Sequence, residues 1–114
     1  MILEEICHEL SLETLTARSK LARQVTGGYA SDLLSCVMSK AQAGNVWVTL
    51  QAHANIVAVA SLLNLAGIIV TEGVVPDAAT LTKAEEEGIP LMTTPLTTFA
   101  VVGKLAKLGI QGVD

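Results

Sequence analysis

From residue 31 onward the apolar residues alternate between two periods. Leu33, Leu34, Val37, Met38 and Ala41 recur at helical spacing, one apolar stripe on a helix that Ser31 opens as N-cap. Val46, Trp47, Val48 and Leu50 then form a short dense run that predicts a strand over 46–50. Asn55 caps a helix over 55–66, and Ile68, Ile69 and Val70 are a β-branched run that reads as a buried strand. Pro76 and Asp77 start a helix whose Lys83, Glu85, Glu86 and Glu87 make a solvated face; Leu91 and Met92 follow Pro90 as the next strand. Thr97 or Thr98 caps a last helix carrying Phe99, Val102 and Leu105, with Lys104 and Lys107 at the end its dipole favours. Glycines at 44, 67, 88 and 109, spaced by 23, 21 and 21 residues, punctuate the pattern. Glycine just past a helix accepts the left-handed cap that side chains resist. A helix of ~11 residues, a strand of ~5 and two short loops fill such a meter, so each period predicts one βα unit. The leucine-rich signature that would make the repeat a solenoid is missing.

The first third is less regular. Residues 3–10 place Ile2, Leu3, Ile6 and Leu10 opposite Glu4, Glu5 and Glu9, which predicts a short amphipathic helix. Residues 12–17 alternate imperfectly and suggest a strand, 18–24 a polar connection or hairpin arm, and 25–29 a glycine-containing strand or turn. Right-handed crossovers between the βα units give an α/β fold, a three-layer α/β/α sandwich around a small, mostly parallel sheet. The first strands add an antiparallel member. Residues 1–114 are expected to form one domain.

Hydrophobic residues make up 51% of the chain and charged ones 16%, below the usual ~25% charged. No Asp, Glu, Lys or Arg occurs from residue 41 to 71, and helix 55–66 carries Ile56, Val57, Val59, Ala60, Leu62, Leu63 and Leu65. A helix apolar nearly all round needs cover on both sides, so a homodimer burying the 55–66 region is expected. Gln42, Asn45, Gln51, His53, Asn55, Ser61 and Asn64 interrupt the uncharged stretch, which argues for a core segment rather than a membrane span. One Phe, one Trp, one Tyr and a net charge of −4 disfavour nucleic-acid binding. The start, Met-Ile-Leu-Glu-Glu, lacks a secretory n-region, and Cys7 and Cys36 have no CxxC spacing, so a cytoplasmic location is expected.

Candidate chemistry gathers just after the strands, where open α/β sheets bind ligands. Thr49, Gln51, His53 and Asn55 form one cluster, Thr71, Glu72 and Gly73 a second, and Thr93, Thr94, Thr97 and Thr98 a third. Gly27 and Gly28 precede a helix and could offer backbone N–H groups to an anion; they equally suit a tight turn before a capped helix. His53 lies in the link between a strand end and a helix start, where a ligand would sit, and the alternative to a ligand role is a histidine hydrogen-bonded to a neighbouring loop. The expected ligand-binding set is Gly27, Gly28, Thr49, His53, Asn55, Thr71, Gly73, Thr93 and Thr94, with a small anionic or nucleotide ligand. No catalytic residue, metal or cofactor is expected. The chain lacks a G-x-x-x-x-G-K-[ST] loop, a G-x-G-x-x-G loop and a G-x-S-x-G elbow. An enzyme using His53 as acid or base ranks last, and a purely structural pairing subunit second.

Gly28 with Ser31-Asp32-Leu33-Leu34, the run Ile68-Ile69-Val70-Thr71-Glu72-Gly73-Val74-Val75-Pro76, and Ala84-Glu85-Glu86-Glu87-Gly88-Ile89-Pro90-Leu91 resemble the DRTGG domain. Domains of that family accompany HPr kinase/phosphorylase-like proteins, phosphate acetyltransferases and CBS-domain pyrophosphatases, and also stand alone. The resemblance implies a regulatory or dimerising module without chemistry of its own, and a partner enzyme or kinase. Tyr29-Ala30 stand where the family has Asp-Arg, and Thr71-Glu72-Gly73 where it has Thr-Gly-Gly. The lost arginine and the added carboxylate weaken anion binding at those loops.

Overall fold

The computed structural model describes residues 1–113. Helix α1 (Leu3–Glu9) and strand β1 (Glu13–Thr14) lead through a 3-10 turn at Arg18–Lys20 into β2 (Gly27–Ala30). The βα units follow as α2 (Leu34–Lys40), β3 (Asn45–Thr49), α3 (Asn55–Leu63), β4 (Gly67–Val70), α4 (Ala78–Glu87), β5 (Leu91–Thr93) and α5 (Thr98–Lys107). The strands lie in the order β1-β5-β4-β3-β2. All pairs are parallel except β1 with β5, where Glu13 faces Thr93. Each parallel strand sends alternate side chains to opposite faces. Val46, Val48, Ile69 and Met92 meet α1 and α5, whereas Trp47, Ile68, Val70 and Leu91 meet α2, α3 and α4. The result is the expected α/β/α sandwich with one antiparallel strand.

Several local expectations are corrected. Gly44, Gly88 and Gly109 do have positive φ, but the left-handed residue after α3 is Asn64, at φ 56°. Gly67 is instead the first residue of β4, where a Cβ would lie 3.0 Å from Leu3 Cδ2 and 3.1 Å from Pro90 O. Its glycine serves the close approach of α1, not a cap. The N-cap of α2 is Leu33, and Ser31 Oγ accepts from its N–H at 3.2 Å. On α5 the buried stripe is Val101 and Leu105, while Phe99 is 90% exposed. The predicted strand over 12–17 stops at Thr14 because Thr16 bonds through its side chain, donating to Ile89 O (2.8 Å) and accepting from Leu91 N–H (3.0 Å).

Residues 18–24 form no hairpin arm. Arg23 is held under the helix ends, its guanidinium donating to Leu65 O (3.5 Å), Ala66 O (3.4 Å) and Gly88 O (3.0 Å). A cation there offsets the negative ends of α3 and α4. The uncharged α3 is covered within the chain: Ile56, Val57, Val59 and Ala60 are buried between the sheet, α2 and α4. Its outward residues include Ala58 and Leu62, the latter 67% exposed, so the need for cover that motivates a dimer through 55–66 is largely met by neighbouring helices. No helix among the described residues is long and apolar enough to cross a membrane.

Candidate functional site

The C-terminal ends of β2 to β5 share one edge, and on its β2–β4 side the polar groups bond to one another. Asp32 Oδ1 accepts from Thr49 Oγ1 and from Leu50 N–H, both at 2.8 Å. Gln51 closes this turn, its N–H donating to Thr49 Oγ1 (3.1 Å) and its side-chain amide to Asp32 O (3.0 Å). Thr49 O accepts from Thr71 N–H at 3.0 Å, and the Thr71 and Thr98 hydroxyls share a hydrogen bond of 2.7 Å. The Thr98 N–H donates to Glu72 Oε2 at 2.8 Å. A continuous chain of hydrogen bonds therefore links the end of β2 through β3 and β4 to the start of α5.

The helix starts at this edge are also occupied by the protein's own groups. His53 Nδ1 accepts from Asn55 N–H (3.2 Å) at α3, and Thr97 Oγ1 from Ala100 N–H (3.2 Å) at α5. Asp77 accepts from both the N–H (2.8 Å) and the hydroxyl (2.6 Å) of Thr80 at α4. Those two bonds hold the Asp77 carboxyl below its ordinary range, and the charge of His53 adds to the effect. At each of these three helices at least one first-turn donor that would otherwise attract an anion is thus taken.

Glu72 occupies its place at a cost, since its φ of 63° lies in the left-handed region. Alanine there would keep the strain and lose the charge at the α5 N-terminus, and glycine would lose the charge but relieve the strain. We expect Glu72→Ala to lose about 1 kcal/mol and Glu72→Gly to stay within about 0.5 kcal/mol of the parent in urea titrations. Equal losses in both would contradict this account of the residue.

On the β4–β1 side the edge opens. A cleft of about 400 Å³ lies between β1, β5 and the loop after β4. Ser11, Glu13, Thr93, Thr94 and Gly73 supply its polar part, and Leu15, Val74, Val75, Pro76 and Pro95 its apolar walls. Among the described residues its lining carries one carboxylate and no basic side chain. That volume is in the range of small-molecule sites.

The nine residues expected to bind ligand therefore separate into three places. Gly73, Thr93 and Thr94 line the cleft. Thr49, His53, Asn55 and Thr71 stand at the bonded side, with Thr49 and Thr71 buried. Gly27 and Gly28 join neither group: they begin β2, away from the strand ends and separated from α2 by the rest of that strand. Gly28 N–H donates to Gln111 O at 2.9 Å, and a Cβ on Gly27 would lie 2.8 Å from the same oxygen, so these glycines admit the C-terminal segment instead of an anion. Sequence reasoning placed Thr98 among the strand-end residues but missed Asp32, Ser11 and Glu13 as members of the edge. Asp32 next to Ser31 before a helix was a legible signal; Glu13 reaches the edge only through the antiparallel pairing of β1.

No curated relative matches the chain. Among solved structures it is similar to the CBS and DRTGG domains of the regulatory region of a Clostridium perfringens pyrophosphatase, complexed with the activator diadenosine tetraphosphate. The TM-score is 0.73 at 19% identity, over 91% of this chain and 45% of that one, so the chain spans less than half of the neighbour. At that identity the likeness shows the fold, the α/β/α sandwich described above. The DRTGG domain model matches residues 5–108, and the chain belongs to the DRTGG domain family.

Proposed function

We propose that residues 1–114 act as one non-catalytic regulatory domain in the cytoplasm, which takes a nucleotide-class ligand at the strand-end cleft and signals its presence to a partner enzyme. The observation that carries the reading is the cleft itself, largely apolar, with Glu13, Ser11 and Thr93 as its polar groups. A lining without Lys or Arg suits the base and ribose of a nucleotide, with phosphates left toward solvent. The carboxylate accepts from ribose hydroxyls or an exocyclic amine, as acidic residues do in dinucleotide sites. Support comes also from the neighbour's activator, which presents two adenosines. The hydrogen-bonded chain from Glu72 to Asp32 offers a route by which a change beside Gly73 reaches β2.

Thermal shift with diadenosine tetraphosphate, ATP, adenosine and inorganic phosphate tests this. A ligand at 100 times its dissociation constant should add ~2.7 kcal/mol of stability. We expect adenosine-bearing compounds to raise Tm, Thr93→Val to reduce the rise, and inorganic phosphate to have no effect. A panel without any adenosine-dependent shift would remove the ligand from the proposal.

A second reading, a structural subunit that pairs with its own copy, is favoured by the 67% exposed Leu62 on α3. In that reading pairing needs no ligand, and the contact centres on Ala58 and Leu62.

A further inference from the structure

The strand-end face is acidic and apolar at once. Leu33 after β2 (60% exposed), Leu50 after β3 (40%), Val75 after β4 (81%) and Phe99 after β5 (90%) place one large apolar side chain beyond the end of each parallel strand. Leu33, Leu50 and Phe99 adjoin Asp32, Thr49 and Thr98, members of the bonded chain, so their backbone anchors are fixed relative to one another. Neighbouring strand ends lie about 4.8 Å apart, and a soluble protein that gathers large exposed apolar side chains at one end of its sheet marks a contact there. Around it stand the carboxylates of Glu13, Asp32, Glu72 and Asp77, with no lysine or arginine in the loops that follow these strands. Arg18 is the basic residue nearest this rim, its Nε–H donating to Thr14 O (3.1 Å) beside Glu13, while Arg23 lies at the far ends of α3 and α4 and Lys40, Lys104 and Lys107 at the C-terminal ends of α2 and α5.

We propose that this face docks a partner protein through an apolar patch rimmed by lysine or arginine. Charge decides the occupant. Two-fold pairing of this face with a second copy would set Asp32, Glu72 and Asp77 against like charges, whereas a basic rim meets them with opposite sign. Aromatic anchors dominate such contacts, which makes Phe99 the expected energetic centre. The inference rests on the signalling reading above and gives its partner a surface: Val75 belongs both to this face and to the ligand cleft, so the two sites adjoin.

Replacing Phe99 by photo-reactive benzoylphenylalanine in the full chain, expressed in cells of its source, tests the proposal, with the same replacement at exposed Glu86 on α4 as control. We expect position 99 to cross-link a protein whose attached peptide, mapped by mass spectrometry, has lysine or arginine beside apolar residues. With that protein purified, Phe99→Ala should weaken binding about tenfold or more, and raising salt should weaken it further. Cross-linking only to a second copy, an acidic attached peptide, or no product beyond the Glu86 control would overturn it. A basic partner found at Phe99 together with a null thermal-shift panel would sink the ligand reading and leave the docking face standing.

Discussion

Trp47→Ala should lower the free energy of unfolding by about 3–5 kcal/mol. The indole is fully buried in the core between the sheet and α2–α4, and its Nε1–H donates to Ser31 O at 2.9 Å. Alanine would leave a cavity in the middle of β3 and strip a partner from the carbonyl that turns the chain from β2 toward α2. Against a total of about 5–15 kcal/mol for a domain of this kind, that loss threatens folding itself. Trp47→Phe fills most of the space without the N–H, so it should cost less. Urea titrations followed by far-UV circular dichroism measure both, and a loss below about 1.5 kcal/mol for alanine would contradict the packing described.

The second large effect separates two neighbouring positions on α3. Ala60 is completely buried, whereas Leu62 is 67% exposed. Ala60→Lys forces an ammonium into a close-packed apolar core, which should cost more than about 3 kcal/mol and leave little folded protein. Leu62→Lys should remain within about 0.5 kcal/mol of the parent. The exposed position is therefore the informative one for assembly. If a homodimer forms through 55–66, light scattering should show Leu62→Lys dissociating while its fold persists. A folded Ala60→Lys would contradict the placement of α3.

These two positions also show where sequence reasoning stops. The βα meter was legible because caps and β-branched runs are local signals: Asp77 before α4, Thr97 before α5 and Ile68-Ile69-Val70 in β4 stand where their chemistry predicts. Which side of an apolar helix faces out depends on helix neighbours that periodicity does not reveal, so Ala60 and Leu62 looked alike. Gly67 resembled a cap because its spacing fits the meter, yet its constraint is Leu3, more than sixty residues earlier. By spacing Phe99 groups with Val102 and Leu105, which lie three and six residues on, but α5 turns Val101 and Leu105 inward.

The site shows the same division. That polar residues collect at the strand ends follows from the meter alone. Which of them remain free does not, because the register of Thr49 with Val70 brings Thr71 beside Thr49 and commits both to internal bonds. The side chain of Glu72, aimed at Thr98, fills a place that the sequence left open to a ligand. The open volume lies one strand further on, beside an antiparallel β1 that only two residues define.

Amide chemical shifts of the isotope-labelled chain, followed during titration with diadenosine tetraphosphate, test the central claim most directly. The account predicts saturable changes at Gly73, Val75 and Thr93, extending through Thr71 and Thr98 toward Asp32. Changes confined to Gly27, Gly28 and Arg23 at the other end of the sheet, or no change at any residue, would contradict it.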